Sequence, residues 1–221
     1  MKRVALIVGV DEYRDPDIKS LEFAVQDATA LAGWLEHVAG YQVEILTGAR
    51  VQAERVKQRA AELVASLGPK DLFLFYFAGH GYLHLGQHLL LCPDAALDGL
   101  DFFENTVPVD LLKRRTQRPG LRRALVLDAC RSPLRKGRGG EAGLRGTQMV
   151  RDILAKYRPP GGGGLAVLCS CADGQQAQEV SRLRHGLFSW AMLEELKAAQ
   201  AGGREVRLDE AFRVGDRKSV V

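Results

Sequence analysis

The sequence predicts an α/β protein with a mostly parallel central sheet and helices on both faces. Strand-length apolar runs alternate along the chain with amphipathic helical patterns, the signature of βαβ units. One run, Asp71-Leu-Phe-Leu-Phe-Tyr-Phe77, is apolar on both faces and therefore belongs in the middle of a sheet. With 221 residues, 46% of them apolar and 26% charged, one domain can bury a sizeable core.

The elements follow in order. Val4–Val10 is an apolar strand that ends in Asp11-Glu12-Tyr13. Leu21, Val25, Ala28, Leu31, Ala32, Leu35 and Val38 recur at three- and four-residue spacing, which predicts a helix that Gly40 ends. Tyr41–Leu46 alternates as a second strand, and Gln52–Leu67 repeats the helical pattern up to Gly68-Pro69. The central strand runs into Ala78-Gly-His80-Gly81, followed by a hairpin-like stretch from Tyr82 to Cys92 and a short helix over Val109–Thr116. Ala124–Leu127 is the fourth strand and closes on Asp128-Ala-Cys130-Arg131. A basic, Gly-rich stretch and Pro159-Pro-Gly-Gly-Gly-Gly164 lead to a fifth strand, Leu165–Cys171, and His185–Leu196 is the closing helix. The last 20 residues are less regular.

Composition narrows the partners. The apolar runs are too short to span a membrane and the chain opens directly on a strand, so a soluble, cytoplasmic protein is expected, with no membrane partner. Four cysteines without a CxxC spacing are expected as free thiols. The net charge of +4 is concentrated: Arg131 to Arg158 carries eight basic against two acidic side chains, a local +6. The remainder is near neutral, which argues against nucleic-acid binding. Residues 131–164 read as a mobile loop inside a single domain spanning 1–221.

The chemistry gathers at strand ends. Asp128 and Cys130, two apart on a strand, share a face at its C-terminal end, where open α/β sheets form their crevices. A cysteine there is a nucleophile only as thiolate, and a nearby imidazole favours that form. His80, 50 residues upstream and between two glycines, is the candidate base. The Gly81 N–H is free to aim at a developing oxyanion, with the Cys130 N–H as second donor. Ser170, Cys171 and Asp173 end the fifth strand on the same rim, and Cys171-Ala-Asp173 is placed to pair with an extended substrate. A small buried cysteine that merely fills space is the competing reading of Cys130.

Val4-Ala-Leu-Ile-Val-Gly-Val10, Val25-Gln-Asp27-Ala28, Tyr76-Phe-Ala-Gly-His80-Gly81, Leu127-Asp-Ala-Cys130-Arg131 and His185-Gly-Leu-Phe188 stand in this order across nearly the whole chain. In them the chain resembles the caspase-like cysteine peptidases of family C14, the metacaspases, paracaspases and bacterial caspase homologues above all. The resemblance implies a caspase-like three-layer sandwich with a late antiparallel edge, a Cys130–His80 dyad and roles in bacterial defence. Asp128 stands where animal caspases have Gln, as in relatives that cut after Arg or Lys, and Asp27 matches a second pocket acid. Two carboxylates in one pocket are costly to desolvate unless a cation joins them, and a guanidinium fork suits both, so Arg is expected over Lys. Ala78 stands where related metacaspases carry Ser, which leaves one polar wall of the pocket missing. An ordinary solvated or capping acid is the competing reading of Asp27.

The expected partner is a protein or peptide with Arg or Lys at the cleaved position. The basic loop is a candidate processing segment, with Arg138, Arg145 and Arg151 as cut sites for the chain itself or an upstream activating protease. A monomer or weak dimer is expected. No cofactor is expected. The resemblance to metacaspases, some of which need calcium, leaves calcium dependence as the alternative, with Asp94, Asp98 and Asp101 as candidate oxygen ligands at a spacing that matches no EF-hand loop. His80, His84, His88 and Cys92 would stack as zinc ligands only on a helix that Gly81 and Gly86 disfavour. A catalytically silent caspase-like module acting as a binding scaffold is the alternative function. A receiver or nucleotide-binding domain lacks its phosphorylatable Asp and its Gly-rich phosphate loop.

Overall fold

The computed structural model describes residues 1–97, 101–130, 164–170 and 179–204, with only the backbone of Cys130. Five parallel strands form the centre: β1 (Arg3–Gly9), β2 (Gln42–Thr47), β3 (Leu72–His84), β6 (Arg122–Cys130) and β7 (Leu165–Cys169), in the spatial order β2-β1-β3-β6-β7. β3 outruns its neighbours. Its far end, Gly81–His84, turns at Leu85-Gly86 and pairs antiparallel with β4 (Gln87–Leu91), which pairs with β5 (Thr106–Pro108). The antiparallel part of the main sheet thus comes from mid-chain, and the late antiparallel pairing among the described residues is a separate two-stranded pair, β8 (Glu179–Val180) with β9 (His185–Gly186).

Two apolar layers sandwich the sheet. Phe73, Phe75 and Phe77 face α2 (Ala53–Ala65) and α3 (Val109–Arg115), while Leu74, Tyr76 and Ala78 face α1 (Ala24–His37) and α4 (Leu187–Ala201). This is the two-faced burial expected of a central strand. The three phenylalanines are fully buried, each contributing about 1.5–3 kcal/mol of transfer free energy. No helix among the described residues is long and apolar enough to cross a membrane.

The elements differ from the sequence expectation mainly at their ends. The third strand runs seven residues beyond Phe77, because backbone pairing with β6 and β4 holds Ala78-Gly-His-Gly81 extended and carries the chain straight into the hairpin expected from Tyr82. The first helix starts at Ala24 rather than Leu21. Glu179 Oε1 accepts the N–H groups of Glu22 and Phe23, each at 2.9 Å, and Asp11 Oδ1 accepts that of Val25 at 3.0 Å. Acids from two distant segments therefore clamp the start of α1, a favourable arrangement at the positive end of a helix. The closing helix starts at Leu187 because His185 and Gly186 are drawn into β9.

α1 sits hard against the end of β1. A Cβ on Gly9 would lie 2.8 Å from the Ala24 carbonyl oxygen, 2.8 Å from Ala28 Cβ and 2.9 Å from Val25 Cα. Helix and strand approach this closely only because residue 9 has no side chain. Gly9→Ala is accordingly expected to cost about 1–3 kcal/mol, as overpacking typically does, read as a lowered Tm. An unchanged Tm would show that α1 is free to move away.

Candidate functional site

Because β1, β3, β6 and β7 run parallel, their C-terminal ends share one rim. Along it Ala78 pairs with Asp128 and His80 with Cys130, and Ser170 follows β7 beside Asp128, its N–H donated to the Leu127 carbonyl at 3.1 Å. His80 and Cys130 are thus direct neighbours on adjoining strands.

His80 is 2% exposed and held from three directions. Its backbone N–H donates to the Tyr13 hydroxyl at 2.8 Å, and the Tyr13 ring lies 5.0 Å from the imidazole centroid. Its Nε2 meets the Lys19 carbonyl oxygen at 2.7 Å. A carbonyl can only accept, so Nε2 carries a proton, which in the neutral imidazole leaves the lone pair on Nδ1. The flanking glycines are needed for space. A Cβ on Gly79 would come within 2.9 Å of the Phe77 ring and 3.0 Å of the Tyr13 hydroxyl, and one on Gly81 within 3.3 Å of Ala129 Cβ.

The two acids converge. Asp27, in the first turn of α1, is 2% exposed, and Asp128 is 8% exposed. Gly186 lies between them: a Cβ there would be 2.9 Å from Asp27 Oδ2 and 3.6 Å from Asp128 Oδ2. Burial rules out the solvated reading of Asp27, and its partners lie far off in sequence. Its Oδ2 accepts the Gly186 N–H at 2.9 Å and its Oδ1 contacts His185 Nδ1. Burial, then the negative charges of Asp128, Glu179 and Asp11, push Asp27 up to about 9 against the opposing Gly186 hydrogen bond. Burial also lowers His185. The shared proton therefore rests on Asp27, and the contact is a neutral hydrogen bond rather than an ion pair.

Asp128 is raised by burial as well, opposed by the hydroxyls of Ser189 and Ser170, which donate to it. The polar wall expected to be missing at Ala78 is thus supplied from other elements, one hydroxyl from α4 and one from the end of β7. Ser189 Oγ lies 2.7 Å from the hydroxyl of Tyr76, which is fully buried on β3.

The remaining expected site residues divide simply. Gly81 stands at the first position of the β3–β4 pairing. Cys171, Asp173, Arg138, Arg145 and Arg151 lie outside the described residues, as does Asp98. His84 and His88 lie in extended chain on β3 and β4, so no helix stacks the histidines, and His84 packs instead on Tyr82, Phe102 and Phe103. No group of three potential metal ligands occurs among the described residues. Sequence reasoning missed Tyr13, Tyr76, His185 and Ser189 as site residues. The His185-Gly-Leu-Phe188 motif marked the right segment, but nothing in it names the acids it touches.

Protonated Asp27 has an isosteric mimic in asparagine, whose Oδ1 can accept the Gly186 N–H while its Nδ2 donates to His185 Nδ1. The unfolded carboxyl ionises near 3.8 and the folded one near 9, so between those values the unfolded state holds fewer protons. Stability is then lost as pH rises through this window. Asp27→Asn should be more stable than the parent chain, with a Tm gap that widens from about pH 5 to about pH 8.5, each kcal/mol recovered being worth about 2–4 °C. A gap independent of pH would show that Asp27 is ionised in the folded chain.

The caspase domain model of peptidase family C14 matches residues 2–214. No curated protein matches the chain significantly. Among solved structures, protein GSU0716 of Geobacter sulfurreducens is similar with a TM-score of 0.69 at 16% identity, over 98% of this chain and 89% of that one. Caspase-1 of Spodoptera frugiperda is similar with a TM-score of 0.64 at 17% identity, over 98% of this chain and 76% of that one. At such identities these two likenesses speak for the fold, which is the caspase-like sandwich. The family model covers almost the whole chain and includes the His80–Cys130 rim, and on that match the chain belongs to the caspase-domain family of cysteine peptidases.

Proposed function

We propose that the chain is a cysteine endopeptidase that hydrolyses protein substrates after basic residues, Arg in preference to Lys. The observation that carries this reading is the pairing of His80 with Cys130 beside two buried carboxylates that meet at Gly186. In the proposed reaction, His80 Nδ1 takes the thiol proton of Cys130 and the thiolate attacks the scissile carbonyl carbon. The resulting oxyanion is held by the N–H groups of Gly81 and Cys130, the loss of one such donor typically costing about 3 kcal/mol. The tetrahedral species collapses as His80 returns the proton to the leaving amine. Water, deprotonated by His80, then hydrolyses the thioester and restores the thiol. The Nε2–H bond to the Lys19 carbonyl supports this by keeping the lone pair on Nδ1 and stabilising the imidazolium.

The acids account for substrate choice. A guanidinium placed against both would supply the positive charge that lets Asp27 ionise, so binding releases its proton. Activation by a cut in the 131–164 loop, at Arg138, Arg145 or Arg151, follows from the same specificity.

Fluorogenic peptides ending in Arg, Lys or Asp test the reading on intact protein and on protein nicked in the basic loop. Arg peptides are expected to be cleaved fastest and Asp peptides not at all, with no turnover by Cys130→Ala. Asp128→Ala should cost about 100-fold in kcat/KM for Arg peptides, the order expected when one partner of a buried charge pair is removed. KM for the Arg peptide should fall as pH rises towards about 9, since the Asp27 proton is then removed in advance. If neither form cleaves an Arg peptide, the chain is a silent binding module instead.

A further inference from the structure

Both pocket acids are held by one short stretch of chain. His185 and the Gly186 N–H engage Asp27, and three residues on, in the first turn of α4, Ser189 engages Asp128. The Ser189 side is a chain of hydroxyls. Tyr76 is fully buried, and burial beside Asp128 and Asp27 raises its phenol above its usual value, so the phenol keeps its proton. Ser189 is the hydrogen-bond partner of that hydroxyl among the described residues, and Ser189 itself is 1% exposed. Ser189 has one proton to give. Once its lone pair is taken by Tyr76, the proton goes to Asp128, and the direction of both bonds is set. Ala78, the neighbour of Asp128 on β3, offers no donor, whereas Ser170 on the β7 side does.

We propose that Ser189, braced by Tyr76, is a specificity-determining positioning residue that locks the rotation of the Asp128 carboxylate and so presents two oxygens to a planar cation. The inference rests on the basic-residue specificity proposed above. A carboxylate held by two hydroxyls, one from α4 and one from the residue after β7, is restrained from turning about its terminal bond, and a two-pronged guanidinium is the ligand most sensitive to that angle. An ammonium, as a rotating point charge, is much less so. Ser189 thus bears on the choice between Arg and Lys, and it does so without touching the substrate.

The test uses the full chain, intact and nicked, as the parent and as Ser189→Ala, Ser189→Thr and Tyr76→Phe. Four readouts are taken: KM and kcat on Arg and Lys peptides, Tm, and the rate at which iodoacetamide alkylates Cys130. Ser189→Ala is expected to raise KM for the Arg peptide about tenfold, the order of one charge-assisted hydrogen bond, with kcat nearly unchanged. Its Arg-over-Lys preference should shrink by a similar factor while alkylation proceeds at the parental rate. Ser189→Thr, which keeps the hydroxyl, should restore both values, and Tyr76→Phe should move them the same way by less. Should Ser189→Ala fail to fold, Tyr76→Phe decides, because it removes only the brace. A parent chain that prefers Arg, together with Ser189→Ala that keeps the parental KM and preference, overturns this inference alone. A parent chain whose Cys130 is alkylated normally but which cleaves neither peptide overturns the specificity reading, and this inference with it.

Discussion

Taking a carboxylate out of water is expensive, and taking two into one pocket is more so, since their mutual repulsion grows as the dielectric falls. Asp27 and Asp128 nevertheless meet beside Gly186, and much of the surrounding structure exists to make that tolerable. One acid keeps its proton against the His185 imidazole and a backbone N–H. The other is given hydroxyl donors from two different elements. Holding the two acids together thus costs stability, which in the proposed reading a cation arriving from outside would recover.

The position of α1 follows from the same demand. Its start is clamped by Glu179 and Asp11, and its close seat on Gly9 brings Asp27 down to the sheet rim. Those clamping acids also push Asp27 upward, so the groups that place the helix help keep its acid protonated. The imidazole on the neighbouring strand end is governed differently. A backbone carbonyl sets its tautomer and a tyrosine sets its height, both from the loop between β1 and α1. One loop and one helix start therefore shape the two halves of the proposed site.

The fold was largely legible because its strands announce themselves. A run such as Leu72–Phe77, apolar on both faces, has one sensible location, and the helical periodicities either side of it specify which faces are covered. What remained hidden was set by pairing rather than propensity: the continuation of β3 through Gly79-His80-Gly81 into the expected hairpin, the small strands β5, β8 and β9, and the retreat of the last helix from His185. None of these segments carries a pattern of its own.

Sequence alone determined the layered α/β class, the placing of Asp128 and Cys130 at the end of one strand with His80 on a neighbouring one, and the pairing of Asp27 with Asp128 as a family resemblance. Each of these lives in local pattern or motif order, which survives being read in one dimension. Only the tertiary structure decided that Asp27 is buried and protonated, that Nε2 of His80 is the protonated nitrogen, and that Tyr76 and Ser189 back Asp128. Those outcomes depend on desolvation and on partners such as Asp27 and Gly186, 159 positions apart, and such distances leave no trace in a linear sequence.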